Sequence, residues 1–117
     1  QGLSALEIVR RFYGNDMYIS SAEAVAGVPA SYPGQSLRIG ATGEAVRTIQ
    51  QQLNRIADNF PAIPKLRVDG IFGPQTQRAV IAFQEIFDLN PDGIVGRDTW
   101  YSISNIYVAV TRMAELS

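Results

Sequence analysis

One short frame is written twice in this chain, and it limits the fold more than anything else in the 117 residues. Asp69-Gly70-Ile71-Phe72-Gly73-Pro74-Gln75-Thr76 returns 23 residues on as Asp92-Gly93-Ile94-Val95-Gly96-Arg97-Asp98-Thr99. Asp-Gly is a strong turn signal, because glycine accepts positive φ without a Cβ clash and the aspartate can bond the backbone just ahead of it. The second glycine of each frame then precedes a helix start. In the first copy Pro74 suits the opening helical position, where its missing N–H costs nothing and its fixed φ is already helical. Two copies of turn, apolar pair, glycine and helix start predict a duplicated helical unit. A weaker third start is Gly40-Ala41-Thr42-Gly43-Glu44-Ala45-Val46.

The periodicity around these starts predicts three helices. The first spans about 44–58, with Val46, Ile49, Leu53 and Ile56 on one stripe and Glu44 at the positive end of the dipole. The second spans about 74–87; Thr76, Ala79, Val80, Phe83, Ile86 and Phe87 recur at spacings of three and four, and Ile81 and Ala82 widen the apolar surface. That breadth predicts a helix in the middle of the bundle. The third spans about 97–115, with Trp100, Ile103, Tyr107, Val110 and Ala114 as its main stripe and Ile106 and Met113 alongside. Between the first two, Pro61 and Pro64 enforce an irregular connection and Lys65-Leu66-Arg67-Val68 alternates as a short extended piece.

Upstream, Ser4-x-x-Glu7 and Ser20-x-x-Glu23 are capping boxes for two brief helices, about 5–13 and 20–26, ended by Gly14 and Gly27. Residues 28–34, with two prolines and a Pro-Gly turn, cannot continue a helix. The organisation expected is therefore a helical extension over 1–36, packed on a body over 37–117.

The body resembles a known family. Leu37-Arg38-x-Gly40-x-x-Gly43-x-x-Val46-x-x-Ile49-Gln50-x-x-Leu53-Asn54, then Val68-Asp69-Gly70-x-Phe72-Gly73-x-x-Thr76-x-x-Ala79-Val80-x-x-Phe83-Gln84, then Leu89, Asp92-Gly93, Val95-Gly96 and Thr99-Trp100, is similar to the peptidoglycan-binding domain family over about 37–101. The resemblance implies an all-α fold, an orthogonal three-helix bundle; it does not cover residues 1–36, where the capping boxes predict an N-terminal arm of two short helices. It implies non-catalytic attachment to bacterial peptidoglycan, glycan strand or stem peptide, for a linked wall-hydrolysing domain at the wall or spore cortex. An extracytoplasmic location follows from the same likeness. The chain departs from the family pattern after Leu53-Asn54, where it runs on through Arg55 to Phe60 instead of closing the helix with glycine.

Charge and missing residue types narrow the chemistry. Ten basic and eleven acidic residues give a net charge of −1, which lacks the footprint of a nucleic-acid binder and offers no basic patch for anionic lipid. No apolar run approaches the ~20 residues of a membrane span, so no membrane insertion is expected. The chain has neither Cys nor His. Disulfides, thiolate nucleophiles, the Ser-His-Asp triad and His- or Cys-ligated zinc are thereby excluded for this segment, and no metal or cofactor is expected. A first residue of Gln and the lack of a signal-peptide pattern fit a mature or excised segment of something longer. Monomer is the default.

Three sets of residues compete for functional roles. Asp69 and Asp92 are either a carboxylate pair for glycoside hydrolysis or turn residues bonding their own backbone, and their place in a duplicated frame favours turns, together with Gly70, Gly73, Gly93 and Gly96. Trp100, Phe72, Phe83 and Phe87 sit at core-periodic positions, which leaves Tyr101 as the aromatic candidate for stacking on sugar. Arg38, Gln50, Gln77 and Gln84 could line a shallow groove with donors and acceptors suited to acetamido groups and carboxylates. Taken singly, Gln84 reads better as a buried bridge and Gln77 as solvated surface. An interaction or pro-domain module on the same scaffold, or a glycosidase running on carboxylates alone, remain the alternatives.

Overall fold

The computed structural model describes residues 31–116, with side chains through residue 112. The two short helices expected near 5–13 and 20–26 lie outside the described residues. Within them the fold is all-α: α1 is Glu44–Ala57, α2 is Pro74–Ile86 and α3 is Arg97–Leu116. No strand is formed among the described residues; two isolated antiparallel bridges, Leu37 with Val95 and Thr42 with Ile71, are the nearest approach. No described helix is long and apolar enough to cross a membrane.

Each helix begins where its local signal is strongest. Gly43 and Gly73 precede α1 and α2, and Pro74 occupies the first turn of α2. α1 buries Val46, Ile49, Leu53 and Ile56 completely, the stripe its spacing predicts. It closes through Asn59 N–H to Ile56 O at 2.9 Å and Phe60 N–H to Ile56 O at 3.0 Å, and Pro61 stops any further turn. The Arg55 guanidinium lies across this end, donating to Asn59 Oδ1 at 3.0 Å and to the Val110 carbonyl of α3 at 3.1 Å. α2 ends in a left-handed residue, Asp88 at φ 60, which lets Leu89 N–H reach back to Gln84 O at 2.8 Å.

Two helical expectations are corrected. α2 is not the middle of the bundle: α1 packs most extensively on α3 and less on α2. Ala79, Val80 and Phe83 are buried in α2, but Ile81, Ala82 and Ile86 keep partial exposure, so the wide apolar surface is a buried stripe with a half-covered margin. In α3 the stripe is rotated. Ile106 is fully buried beside Trp100, Ile103 and Val110, whereas Tyr107 is half-buried. A phenol oxygen is easier to satisfy at the margin than inside.

The segment before α1 ties the two repeated frames together. Leu37 exchanges both backbone bonds with Val95 of the second frame, at 3.0 and 2.8 Å. Three residues on, Gly40 N–H donates to Phe72 O, then Phe72 N–H to Ala41 O and Gly43 N–H to Gly70 O, all pairing with the first frame at 2.9–3.0 Å. One short strip of chain thus fixes both turns against the same core, which holds Phe72, Val95 and Trp100.

Candidate functional site

Each repeated turn is gripped by a glutamine from the preceding helix. Gln50 of α1, 1% exposed, accepts the N–H groups of Asp69 and Gly70 on Oε1 at 3.1 and 2.9 Å. Its Nε2 donates among Asp69 Oδ1, Ile71 O and Thr76 Oγ1 at 3.0–3.1 Å. Gln84 of α2, also 1% exposed, repeats this at the second turn: Gly93 N–H donates to its Oε1 at 2.9 Å, and its Nε2 faces Asp92 Oδ1, Ile94 O and Thr99 Oγ1 at 3.0–3.2 Å. In both copies the aspartate also takes the N–H two residues ahead, Ile71 or Ile94, at 2.9 Å. The frame is a clamp. Its aspartate, first glycine and threonine each present a group to one buried amide, which is why those residue types recur together.

The clamps engage both aspartates. Asp69 and Asp92 both spend an oxygen on their own turns, the arrangement expected of structural turn residues. The Ile71 N–H and then the Gln50 amide hold the Asp69 carboxyl below the ordinary carboxylate range. A folded-state pKa below the unfolded value contributes stability that is complete above the unfolded pKa and is lost as pH falls through the folded one. Asp69→Asn keeps the acceptor oxygen and removes the titration. The expected result is a shallower loss of stability below about pH 4 in the variant than in the parent, read by urea titration across the acid range.

Beside the first clamp lies an open cleft of about 410 Å³. It is lined by Gln50 and Thr76 of the clamp, by Leu66, Arg67, Asp69 and Ile71 of the run before α2, and by Gly73, Pro74, Gln75 and Arg78 at the start of α2. Asn54 holds Leu66 in place, pairing with both its N–H and its carbonyl at 2.7 and 2.8 Å. A Lys65–Asp58 ion pair anchors the connector just upstream.

The residues the sequence nominates as a groove are spread over different parts of the molecule. Gln50 alone lines the cleft. Gln84 is consumed by the second clamp, so its substitution reports on folding before binding. Gln77 is half-buried with its side chain against Gly93, where an added Cβ would lie 2.8 Å from Gln77 Cγ. Tyr101 is half-buried, and its hydroxyl accepts the Tyr32 N–H at 3.2 Å while Tyr32 packs edge-on to Trp100. Arg38 is exposed on the strip between the two bridges. Arg67 and Arg78, which the sequence reading passes over, are the cationic groups at the cleft. Comparing the two frames would have flagged them, because their counterparts in the second frame are Asn90 and Tyr101.

The family model of the peptidoglycan binding domain matches residues 42–103, a span that holds both clamps and every residue of the cleft. The chain belongs to the peptidoglycan-binding domain family. Relatives of this peptidoglycan-binding domain include the zinc D-Ala-D-Ala carboxypeptidase of Streptomyces albus G, 41% identical over 68 residues, 58% of this chain and 26% of that protein. A Bacillus licheniformis protein named "Probable N-acetylmuramoyl-L-alanine amidase" is 31% identical over 86 residues, 74% of this chain and 23% of its own length. An uncharacterized protein of Kitasatospora aureofaciens is 47% identical over 60 residues, 50% of this chain and 47% of that one. The chain thus spans about a quarter of each named enzyme and about half of the third relative. No solved structure matches this peptidoglycan-binding domain at the same level of significance.

Proposed function

We propose that this domain binds bacterial peptidoglycan without cleaving it and holds a linked wall-hydrolysing domain at the wall or spore cortex. The carrying observation is the family match across both clamps, joined by two relatives named as enzymes of cell-wall chemistry in which a chain like this occupies only about a quarter of the length. The clamps support the non-catalytic half of the reading, since each repeated aspartate already serves its own turn. Tethering acts through effective concentration: even a weak contact with an insoluble polymer raises the local level of substrate for whatever is linked to it.

Co-sedimentation with purified sacculi tests this. The chain is expected to pellet with the sacculi and to release no soluble muropeptides. Chain left wholly in the supernatant would point to the interaction-module alternative, and released muropeptides would point to a carboxylate glycosidase.

A further inference from the structure

We propose that the cleft beside the first clamp recognises a free carboxylate on a short aliphatic peptide, so that the domain reads the stem peptide of the wall and not its glycan. This rests on the wall-binding reading above and names the part of the polymer that is bound.

The duplication supplies an internal control. Asp, Gly, Thr and the gripping Gln are present at both turns and are accounted for by the clamps. What differs between the copies is not required to make the turn. Position 67 is Arg where the second copy has Asn90, and position 78 is Arg where it has Tyr101. The second copy is also covered at that point, because the Tyr101 hydroxyl holds the Tyr32 N–H. The first copy is left open, with a cleft of about 410 Å³.

The lining of that cleft is selective in its chemistry. Among the described residues it contains no Trp, Tyr or Phe, so it offers no ring face for stacking against a sugar. It does contain two exposed guanidinium groups, Arg67 and Arg78, against one carboxylate, Asp69, whose Oδ1 is committed to the turn. Arginine is the side chain best shaped to grip a carboxylate through two parallel N–H bonds. In the same lining Ile71 is 55% exposed, and Pro74, with the edge of Leu66, adds to the aliphatic surface. In peptidoglycan the lactyl carboxyl of the glycan is taken up in the amide to the peptide, which leaves the free carboxylates on the stem peptide. A cleft with two cations, an aliphatic wall and no aromatic ring matches that end of the polymer.

The test uses the 117-residue chain, its Arg67→Ala/Arg78→Ala variant and the corresponding double lysine variant, each first checked for an unchanged thermal melt. Retention is measured on two supports: sacculi freed of wall phosphate polymers, and the same sacculi stripped of stem peptides so that bare glycan remains. The unaltered chain should bind the first support and lose about tenfold or more on the second. The alanine variant should lose a similar factor on the first support, with partial recovery in the lysine variant, which keeps charge but not the planar fork. A soluble stem tetrapeptide should compete for binding, and a tetramer of N-acetylglucosamine should not. Equal retention on bare glycan, or full retention by the alanine variant, overturns the peptide assignment while leaving wall binding intact. No retention of the unaltered chain on the first support overturns the wall-binding reading itself.

Discussion

Gln50→Leu is expected to cost the domain about 2–4 kcal/mol and to lower its melting temperature by roughly 10–20 °C. Leucine fills a similar volume, so the loss is not one of packing. It comes from the groups the amide leaves behind: the Asp69 and Gly70 N–H donors, the Ile71 carbonyl and the Thr76 hydroxyl. Each buried polar group without a partner costs about 1–3 kcal/mol, and the cleft lets water recover part of that. Gln50→Glu is the sharper variant, because it is nearly isosteric. It replaces the Nε2 donor with an oxygen facing the Asp69 carboxylate and the Ile71 carbonyl, turning attractions into repulsions. Urea unfolding of both variants checks this. A loss below about 1 kcal/mol in each would show that the clamp does not hold the turn.

Gly70→Val should destabilise by about 2 kcal/mol or more. Gly70 sits at φ 74, a region that costs an L-residue about 1–2 kcal/mol and a β-branched one more. A Cβ there would also lie 3.3 Å from the Gly43 carbonyl oxygen. That oxygen belongs to the residue whose N–H donates to Gly70 O at 2.9 Å and whose carbonyl accepts from Arg47 N–H at the start of α1, so it has little room to retreat. Strain at the turn is therefore passed to the first helix. An unfolding midpoint equal to the parent's would refute the assignment of this turn.

How far the sequence could be read depended on the range of each signal. Gly73-Pro74 and the stripe of Val46, Ile49, Leu53 and Ile56 act within a turn or two of helix, and the predicted limits of α1 and α2 fall within a residue of the observed ones. The duplicated turns were equally legible. Their grip by Gln50 and Gln84 was harder to see, because the connectors differ in length: the amide meets its aspartate 19 residues downstream in the first copy and 8 in the second. A strict period of 23 residues, taken from the turns, places neither Gln50 nor Gln84 opposite a glutamine, since Gly73 and Pro61 stand there. The sequence shows both glutamines as polar side chains with no visible partner; in the fold both grip turns, and Gln50 also lines the cleft. Arg67 and Arg78 carried no signal of their own. Neither lies in a motif or on an apolar stripe, and only the folding of the 65–68 run against the start of α2 brings them to one cleft. The position of α2 differs from its expectation for a related reason: apolar residues can be counted around a helix from sequence, whereas burial depends on which neighbours arrive.

The most direct measurement is a map of backbone amide shifts as soluble muropeptides are titrated into the isotope-labelled chain. Peptidoglycan binding at the open copy of the repeat predicts that the perturbed amides gather at residues 66–78, with the turn around Gly93 and the start of α3 left unmoved. Perturbation centred on residues 89–101, or none anywhere at saturating muropeptide, would contradict the account.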